Sequence, residues 1–169
     1  DKVMTILNGL NCRVWEISGV KPNPRLGLVR DGVTLCKEQQ IQLVLAVGGG
    51  SAIDTAKAIA NGACYDGDPW DLFEGKGKND HVLPLGVIVT IPAAGSEMSD
   101  SSVITREDDL CKRGRNTPLN YPKFSILNPE YTFSLPAFQT ACGAVDIMAH
   151  MMERYFTNTE SVELIDRMT

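Results

Sequence analysis

Paired cysteines, histidines and long apolar runs are all scarce in this chain. Its five cysteines, Cys12, Cys36, Cys64, Cys111 and Cys142, stand singly and form no C-x-x-C, which removes the signatures of a zinc ribbon, a dithiol redox motif or a disulfide scaffold. Scattered free thiols suit a reducing compartment, and the expected location is cytoplasmic. No apolar run approaches the roughly 20 residues needed to cross a bilayer, and Asp1-Lys2-Val3 opens nothing like a signal peptide. Positive charge is in deficit: 16 Lys and Arg against 21 Asp and Glu give a net charge of -5. The best basic cluster, Lys112-Arg113-x-Arg115, is too short for a nucleic-acid face. Neither nucleic acid nor membrane is therefore an expected partner. Ser-His-Asp order and a nucleophile elbow are also lacking, which disfavours nucleophilic catalysis. The chain has no initiator Met and starts inside a segment with Val3, Ile6, Leu7 and Leu10 at helical spacing; it reads as an internal piece of a longer protein.

What is present is the composition of a soluble globular protein, 43% hydrophobic and 22% charged over 169 residues, enough for one domain and part of another. After the opening helix, a strand is expected around Cys12–Glu16, then the turn-rich Gly19-Val20-Lys21-Pro22-Asn23-Pro24 and a helix from Arg25 to Cys36. Ile41–Val47 is apolar but for Gln42, as in a strand buried on both sheet faces. It runs into Gly48-Gly49-Gly50-Ser51, and Ile53, Ala56 and Ile59-Ala60 then recur at helical spacing, with Ser51 as expected N-cap and Asp54 in the first turn. Asp66 to Asp80 reads as a polar loop without periodicity. Leu85–Thr90 is a second buried strand ending in another small-residue turn, Ala93-Ala94-Gly95-Ser96-Glu97. Ser101–Thr105 and Phe124–Leu127 read as further strands, joined through the charged turn Arg106–Asp109. From Ser134, the expected cap, with Pro136 in the first turn, an apolar helical stripe runs through Phe138, Val145, Ala149, Met152 and Tyr155-Phe156. Strands alternating with helices, and turns at strand ends, predict an α/β fold with a doubly wound parallel sheet, whose ligands bind beyond the carboxyl ends of the strands. The expected division is an α/β domain over 1–133 and the start of an all-helical domain over 134–169.

Two constellations could carry chemistry. Successive glycines before a helix let a phosphate approach free N–H groups, although Ile53 occupies the third-glycine position of G-x-G-x-x-G and no G-K-[ST] follows; a tight turn without a ligand is the competing reading. Asp146 and His150, four residues apart, share one helix face. They are either two ligands of one divalent ion or an exposed Asp–His pair. His81 reads as solvated, Trp70 and Phe73 as aromatics packed beneath their loop, and the cysteines as small apolar residues.

Several motifs in order give the chain a family likeness. They are Gly19-Val20-Lys21-Pro22-Asn23-Pro24, Val44-Leu45-Ala46-Val47-Gly48-Gly49-Gly50-Ser51 with Asp54 and Lys57, and Thr90-Ile91-Pro92-Ala93-Ala94-Gly95-Ser96-Glu97. They continue with Leu127-Asn128-Pro129-Glu130, Leu135-Pro136 and Gly143-x-x-Asp146-x-x-x-His150-x-x-Glu153. On these the chain resembles the iron-activated, or group III, metal-dependent alcohol dehydrogenases, and among them the butanol-dehydrogenase-like branch.

The resemblance implies a Rossmann-like dinucleotide-binding domain followed by an all-helical domain, with a divalent metal, Fe2+ or Zn2+, in the cleft between them. It implies that NADP or NAD meets Gly49, Gly50 and Ser51 with its pyrophosphate, that Asp54 supports the loop, and that Thr90 and Ser99 lie along the ribose and nicotinamide. Lys112 would reach a ribose hydroxyl or phosphate, and Asp146 and His150 would be two of four metal ligands. The implied reaction interconverts primary alcohols and aldehydes in a homo-oligomer, a dimer. Ala94 departs from the threonine of many relatives. The likeness also implies two further ligand histidines beyond Thr169 and initial strands, with the NADP-versus-NAD discriminators, before Asp1. A dehydroquinate-synthase-like lyase of the same fold and a non-catalytic nucleotide-binding module stay open as alternatives.

Overall fold

The computed structural model describes residues 2–156 and Arg167. Its centre is a helix, α3 (Gly50–Ala63), buried almost all round between two apolar clusters. Toward the sheet, Ile53 and Ala56 pack on Ala46 of β1 (Val44–Gly48) and on Leu85, Val87 and Val89 of β2 (Leu85–Val89). On its other side Ala58 and Ile59 meet Leu26, Val29, Val33 and Cys36 of α2 (Leu26–Glu38), a stripe at helical spacing. Three parallel strands run in the order β1-β2-β5, with β5 at Phe124–Ile126. A parallel sheet with β1 and β2 joined through helices is the α/β architecture expected from the sequence, although β5 is reached through an antiparallel strand pair rather than a helix.

The alternation of strand side chains divides this sheet into two faces. Ala46, Leu85, Val87 and Val89 lie under α3, while Val47, Phe124 and Ile126, each more than two-fifths exposed, point away. The expected burial of Ile41–Val47 on both faces is therefore not met in the described residues: the strand starts at Val44, and Val47 stays 45% exposed on an edge strand with a helix on one side only. In the middle of β2, Gly86 lies under the ring of Phe124, where a Cβ would come within 2.3 Å of the ring carbons.

Several local expectations are corrected. Cys12–Glu16 is not a strand, because no neighbouring strand pairs with it among the described residues. Ser51 is not the N-cap of α3; Gly49, with extended dihedrals, takes that position without a side-chain cap, and Asp54 falls past the first turn. The loop between Asp66 and Asp80 contains α4 (Pro69–Glu74), capped by Asp68, whose side chain accepts the Trp70 N–H, and closed by Gly75 at φ 73°. Trp70 and Phe73 pack in the core with ring centroids 5.9 Å apart, as read from the sequence.

Beyond β2 the chain forms an antiparallel pair that the sequence reading missed in part: β3 (Ser101–Thr105) was expected, β4 (Lys112–Asn116) was not. This pair packs on α3 and fastens the Lys21–Arg25 loop, through Thr105 N–H to Pro24 O (2.8 Å) and Lys112 Nζ to Asn23 Oδ1 (2.9 Å). The last described element is α5 (Ala137–Tyr155), whose N-cap is Pro136 rather than Ser134. The stripe on α5 is not buried: Phe138, Val145, Met152, Tyr155 and Phe156 are all more than half exposed, and Gly143 is the one buried residue. A short α1 (Lys2–Asn8) buries no residue. No described helix is long and apolar enough to cross a membrane.

Candidate cofactor and metal cleft

The two small-residue turns predicted at strand ends lie side by side because β1 and β2 are adjacent and parallel. The Thr90 N–H donates to Gly48 O at 3.0 Å, joining them directly. In the first turn the N–H groups of Ala52 and Ile53 both return to Gly49 O (3.0 and 3.1 Å). Among the described residues no acceptor meets the N–H of Gly50 or Ser51, the donors that a helix start leaves open. Gly49 is closely packed, since a Cβ there would lie 3.2 Å from Ile91 Cβ and Ile91 would have to give by a few tenths of an ångström. Gly50 does have room, its nearest neighbour being Ala94 Cβ at 3.5 Å. Bare backbone at position 50 is thus not required by packing within the chain, and it leaves open the space a bound anion would use.

Behind the turns is a buried polar network anchored on Lys57, which has no exposed surface. Its Nζ donates to Ser96 O (2.7 Å), Ser96 Oγ (3.0 Å), Ser99 O (2.8 Å) and Ser101 O (2.7 Å). Asp54 completes the arrangement: Oδ1 accepts from Ser96 Oγ (2.7 Å) and Oδ2 from the Val103 N–H (3.0 Å). Burial raises the Asp54 carboxyl pKa above its ordinary value, opposed by these hydrogen bonds and by the charges of Lys57 and Lys112. Burial likewise lowers the Lys57 ammonium, opposed by Asp54, Asp100 and Glu97. Each charge offsets the desolvation of the other. A second layer extends inward, where Asn61 donates to Lys57 O (2.7 Å) and Asn120 Oδ1 (2.8 Å) and accepts from Arg115, which also donates to Asn79 Oδ1 (2.7 Å).

Helix α5 closes the other side. A Cβ on Gly143 would stand 2.9 Å from Pro92 O, so only glycine lets α5 approach the second turn this closely. One helical turn further, a cleft of about 670 Å³ opens between the Ala93–Asp100 segment and α5. Gly95, Met98, Ser99 and Asp100 line one wall; Ile147, His150 and Glu153 line the other.

His150 lines the cleft and Asp146 stands one turn before it on α5, both nearly half exposed, with His150 Nε2 3.9 Å from Asp146 Oδ1. Two donors on one tetrahedral ion, with bonds of about 2.0–2.2 Å, stand roughly 3.3–3.6 Å apart. A small side-chain rotation therefore brings this oxygen and nitrogen onto one divalent ion, and the pair fits as two ligands of a metal. No group of three or more metal-ligating side chains occurs among the described residues.

Of the residues selected from sequence, Gly49, Gly50, Ser51, Asp54, Thr90 and Ser99 gather around the paired turns. His150 lies across the cleft, with Asp146 one turn before it on α5. Lys112 stands apart on β4, bonded to Asn23, and reaches Asp54 only through its charge. Lys57 belongs to the same motif as Asp54, but its type and position in the sequence assign it no role. A lysine in a helix ordinarily reads as solvated, and only the serine-rich stretch Ser96, Ser99 and Ser101, with its backbone carbonyls free of a helix ladder, could have signalled its partners.

Comparison with known proteins agrees with this architecture. Residues 1–129 match the family described as iron-containing alcohol dehydrogenase. The chain is 48% identical over 168 residues to a probable NADH-dependent butanol dehydrogenase of Bacillus subtilis, covering 99% of this chain and 43% of that protein. It is 37% identical over 170 residues to an NADPH-dependent aldehyde reductase of Escherichia coli, again over 99% and 43%. The crystal structure of an NADH-dependent butanol dehydrogenase A from Thermotoga maritima superposes with a TM-score of 0.92 at 42% identity, over 98% of this chain and 42% of that one. The chain spans about two-fifths of the length of these relatives, and it belongs to the iron-containing alcohol dehydrogenase family.

Proposed function

We propose that the chain forms the dinucleotide-binding part and the first metal-binding helix of an NAD(P)-dependent, metal-dependent oxidoreductase. Its reaction interconverts primary alcohols and aldehydes by hydride transfer. The observation that carries this reading is the cleft between the second turn and His150 of α5, beside a first turn whose Gly50 and Ser51 N–H groups stay open and which the Thr90–Gly48 bond joins to the second.

In this reading Gly50 and Ser51 donate to the cofactor diphosphate at the positive end of α3. Gly49 keeps that backbone pressed against Ile91. Thr90 and Ser99 flank the route from the first turn into the cleft, where the nicotinamide would lie. Lys112 reaches the cofactor by leaving Asn23. Asp146 and His150, together with ligands from outside the described residues, would hold Fe2+ or Zn2+, which would supply Lewis acidity toward the alcohol or aldehyde oxygen. The apolar Met98, Ile147 and Met151 beside the polar Ser99 and Asp100 suit a small organic substrate with one oxygenated end. Cytoplasmic residence and assembly as a homodimer belong to the same reading, supported respectively by the free thiols and by the exposed apolar residues of α5 and the sheet.

The test is made on the full-length protein loaded with Fe2+ or Zn2+. NADH or NADPH should be oxidised on addition of butanal, the rate should vanish on chelation and return with metal, and His150→Ala should lower bound metal at least tenfold. Absence of carbonyl-dependent oxidation with every short aldehyde and both cofactors would overturn the reading.

A further inference from the structure

The cleft wall from Gly95 to Asp100 has almost no regular hydrogen bonding of its own. Only Met98 N–H to Gly95 O (3.1 Å) and Ser99 N–H to Ser96 O (3.4 Å) hold it internally, in one turn of 3-10 helix. Gly95 is left-handed at φ 68°, and Ser99 is extended. Yet four residues of this stretch, Gly95, Met98, Ser99 and Asp100, line the cleft, and their placement must come from somewhere. It comes from outside the stretch: Ser125 Oγ donates to Glu97 O (2.8 Å), the Thr117 N–H and Asn120 Nδ2 donate to Asp100 O (3.1 and 2.7 Å), Ser96 Oγ donates to Asp54, and at Lys57 three carbonyl oxygens, of Ser96, Ser99 and Ser101, converge on one ammonium that also meets Ser96 Oγ. An ammonium has three protons and meets four oxygens here, so one proton is shared and no acceptor is left over. Without the cation these three carbonyl dipoles would face one another across a dry space, and the segment would open.

We propose that Lys57 is a positioning residue for the reaction, acting as a tethered cation that folds the Ser96–Ser101 backbone into the cleft wall and sets Ser99 and Asp100 against α5. The proposal rests on the reading of this cleft as the reaction site. Lys57 touches neither cofactor nor substrate, and its effect reaches them through the wall. Because Lys57 lies seven residues, about two helical turns, beyond Gly50 in α3 and makes no hydrogen bond to the first turn, that turn is held independently of it, by the Thr90–Gly48 bond and by the Ala52 and Ile53 N–H groups on Gly49 O. The two halves of cofactor recognition should therefore separate.

The experiment compares full-length wild type with Lys57→Met. ADP-ribose, which engages the first turn and carries no nicotinamide, is titrated calorimetrically; kcat and KM for butanal are measured; and hydrogen exchange is followed in the 96–101 amides. The expected result is ADP-ribose affinity within threefold of wild type, kcat lowered about 100-fold, and exchange in 96–101 at least tenfold faster while α2 and β2 are unchanged. Equal losses of ADP-ribose affinity and kcat, or wild-type kcat with unchanged exchange, would overturn it. Should Lys57→Met not fold, Ser96→Ala removes one of the four acceptors and the donor to Asp54 while keeping the ammonium. It should speed 96–101 exchange about threefold and lower kcat about fivefold at unchanged ADP-ribose affinity, and no change in either would count against the proposal. If wild type itself reduces no aldehyde, the functional reading fails, whereas the exchange measurement still decides what Lys57 does to the wall.

Discussion

Glycines 49 and 50 are adjacent, but they are glycine for different reasons. At 49 packing favours it, because a Cβ would press on Ile91 at 3.2 Å; at 50 the fold admits a methyl group. Gly50→Ala should therefore leave the melting temperature unchanged or slightly raised, alanine being the better helix former by about 1 kcal/mol in a helix interior and by less at an end. The same substitution should weaken dinucleotide binding about tenfold, as seen in a fluorescence titration of the full-length protein. Equal affinity for wild type and variant would mean that no ligand approaches this backbone. Elsewhere on the surface, Arg106 donates two hydrogen bonds to Asp109 (3.0 and 2.7 Å), holding that carboxyl down to about 2 from its ordinary 3.8. Between these values the unfolded chain binds more protons than the folded one. The pair's contribution is thus fully present above pH 4 and is lost as the pH falls toward 2. Asp109→Asn should flatten the fall in denaturation midpoint over that window and lie below wild type by the same amount at pH 7, a small one because so exposed a pair is screened, with the two converging near pH 2.

Among the elements, those with strong periodicity or an apolar run were legible: α2, β1, β2, β3, β5 and α5 all lie where the sequence placed them, give or take three residues at the ends. The failures have physical causes. Helix α4 is six residues long, too short to show a period, and its marks are end signals, Asp68-Pro69 at the start and Gly75 at the stop. Strand β4 reads KRGRN, and its pairing partner β3, rather than any hydrophobic pattern of its own, makes it a strand. The α5 stripe was legible as a helix but not as buried, because periodicity reports an apolar face and not what covers it. For the site, the glycines and the Asp146–His150 spacing could be read, while the Lys57 network spans some 40 residues of sequence and could not. Asp68 offers a direct check on α4. Asp68→Ala removes the cap on Trp70 N–H (2.8 Å) and the exposed ion pair with Arg30. It should cost about 1 kcal/mol, nearly all from the cap, measured by chemical denaturation. Asp68→Asn, which keeps a capping oxygen, should recover most of that loss.

Taken as one body, the molecule is built around α3, which contacts α2, α4, the parallel sheet and the β3–β4 pair, whereas α1 buries nothing. Hydrogen exchange should rank them accordingly, slowest in α3 and β2 and fastest in α1. Cys36 gives a chemical probe of the same hierarchy. Burial, with a smaller contribution from Cys64, pushes its thiol up to about 11, and it lies inside the α2–α3 cluster. Its alkylation should follow the opening of that cluster, with the same denaturant dependence as the slowest α3 amides, and a faster rate would place α2 on a separate, weaker unit.

The ring of Phe124 over Gly86 has a bearing on the cleft although it lies outside it. Strand β5 can seat this ring only opposite the one residue of β2 that has no side chain, so the pair works as an index mark between strands. A slip that keeps the same face inward moves β5 by two residues, about 6.6 Å, and would set the ring on Ile88 instead. The chain passes from β5 through Asn128-Pro129 into α5, and such an error would travel along it to His150. The distance between the glycine turn and the metal-ligand candidates is in this sense measured out by the sheet, and a substitution as remote as Gly86→Val would mis-set it without touching either.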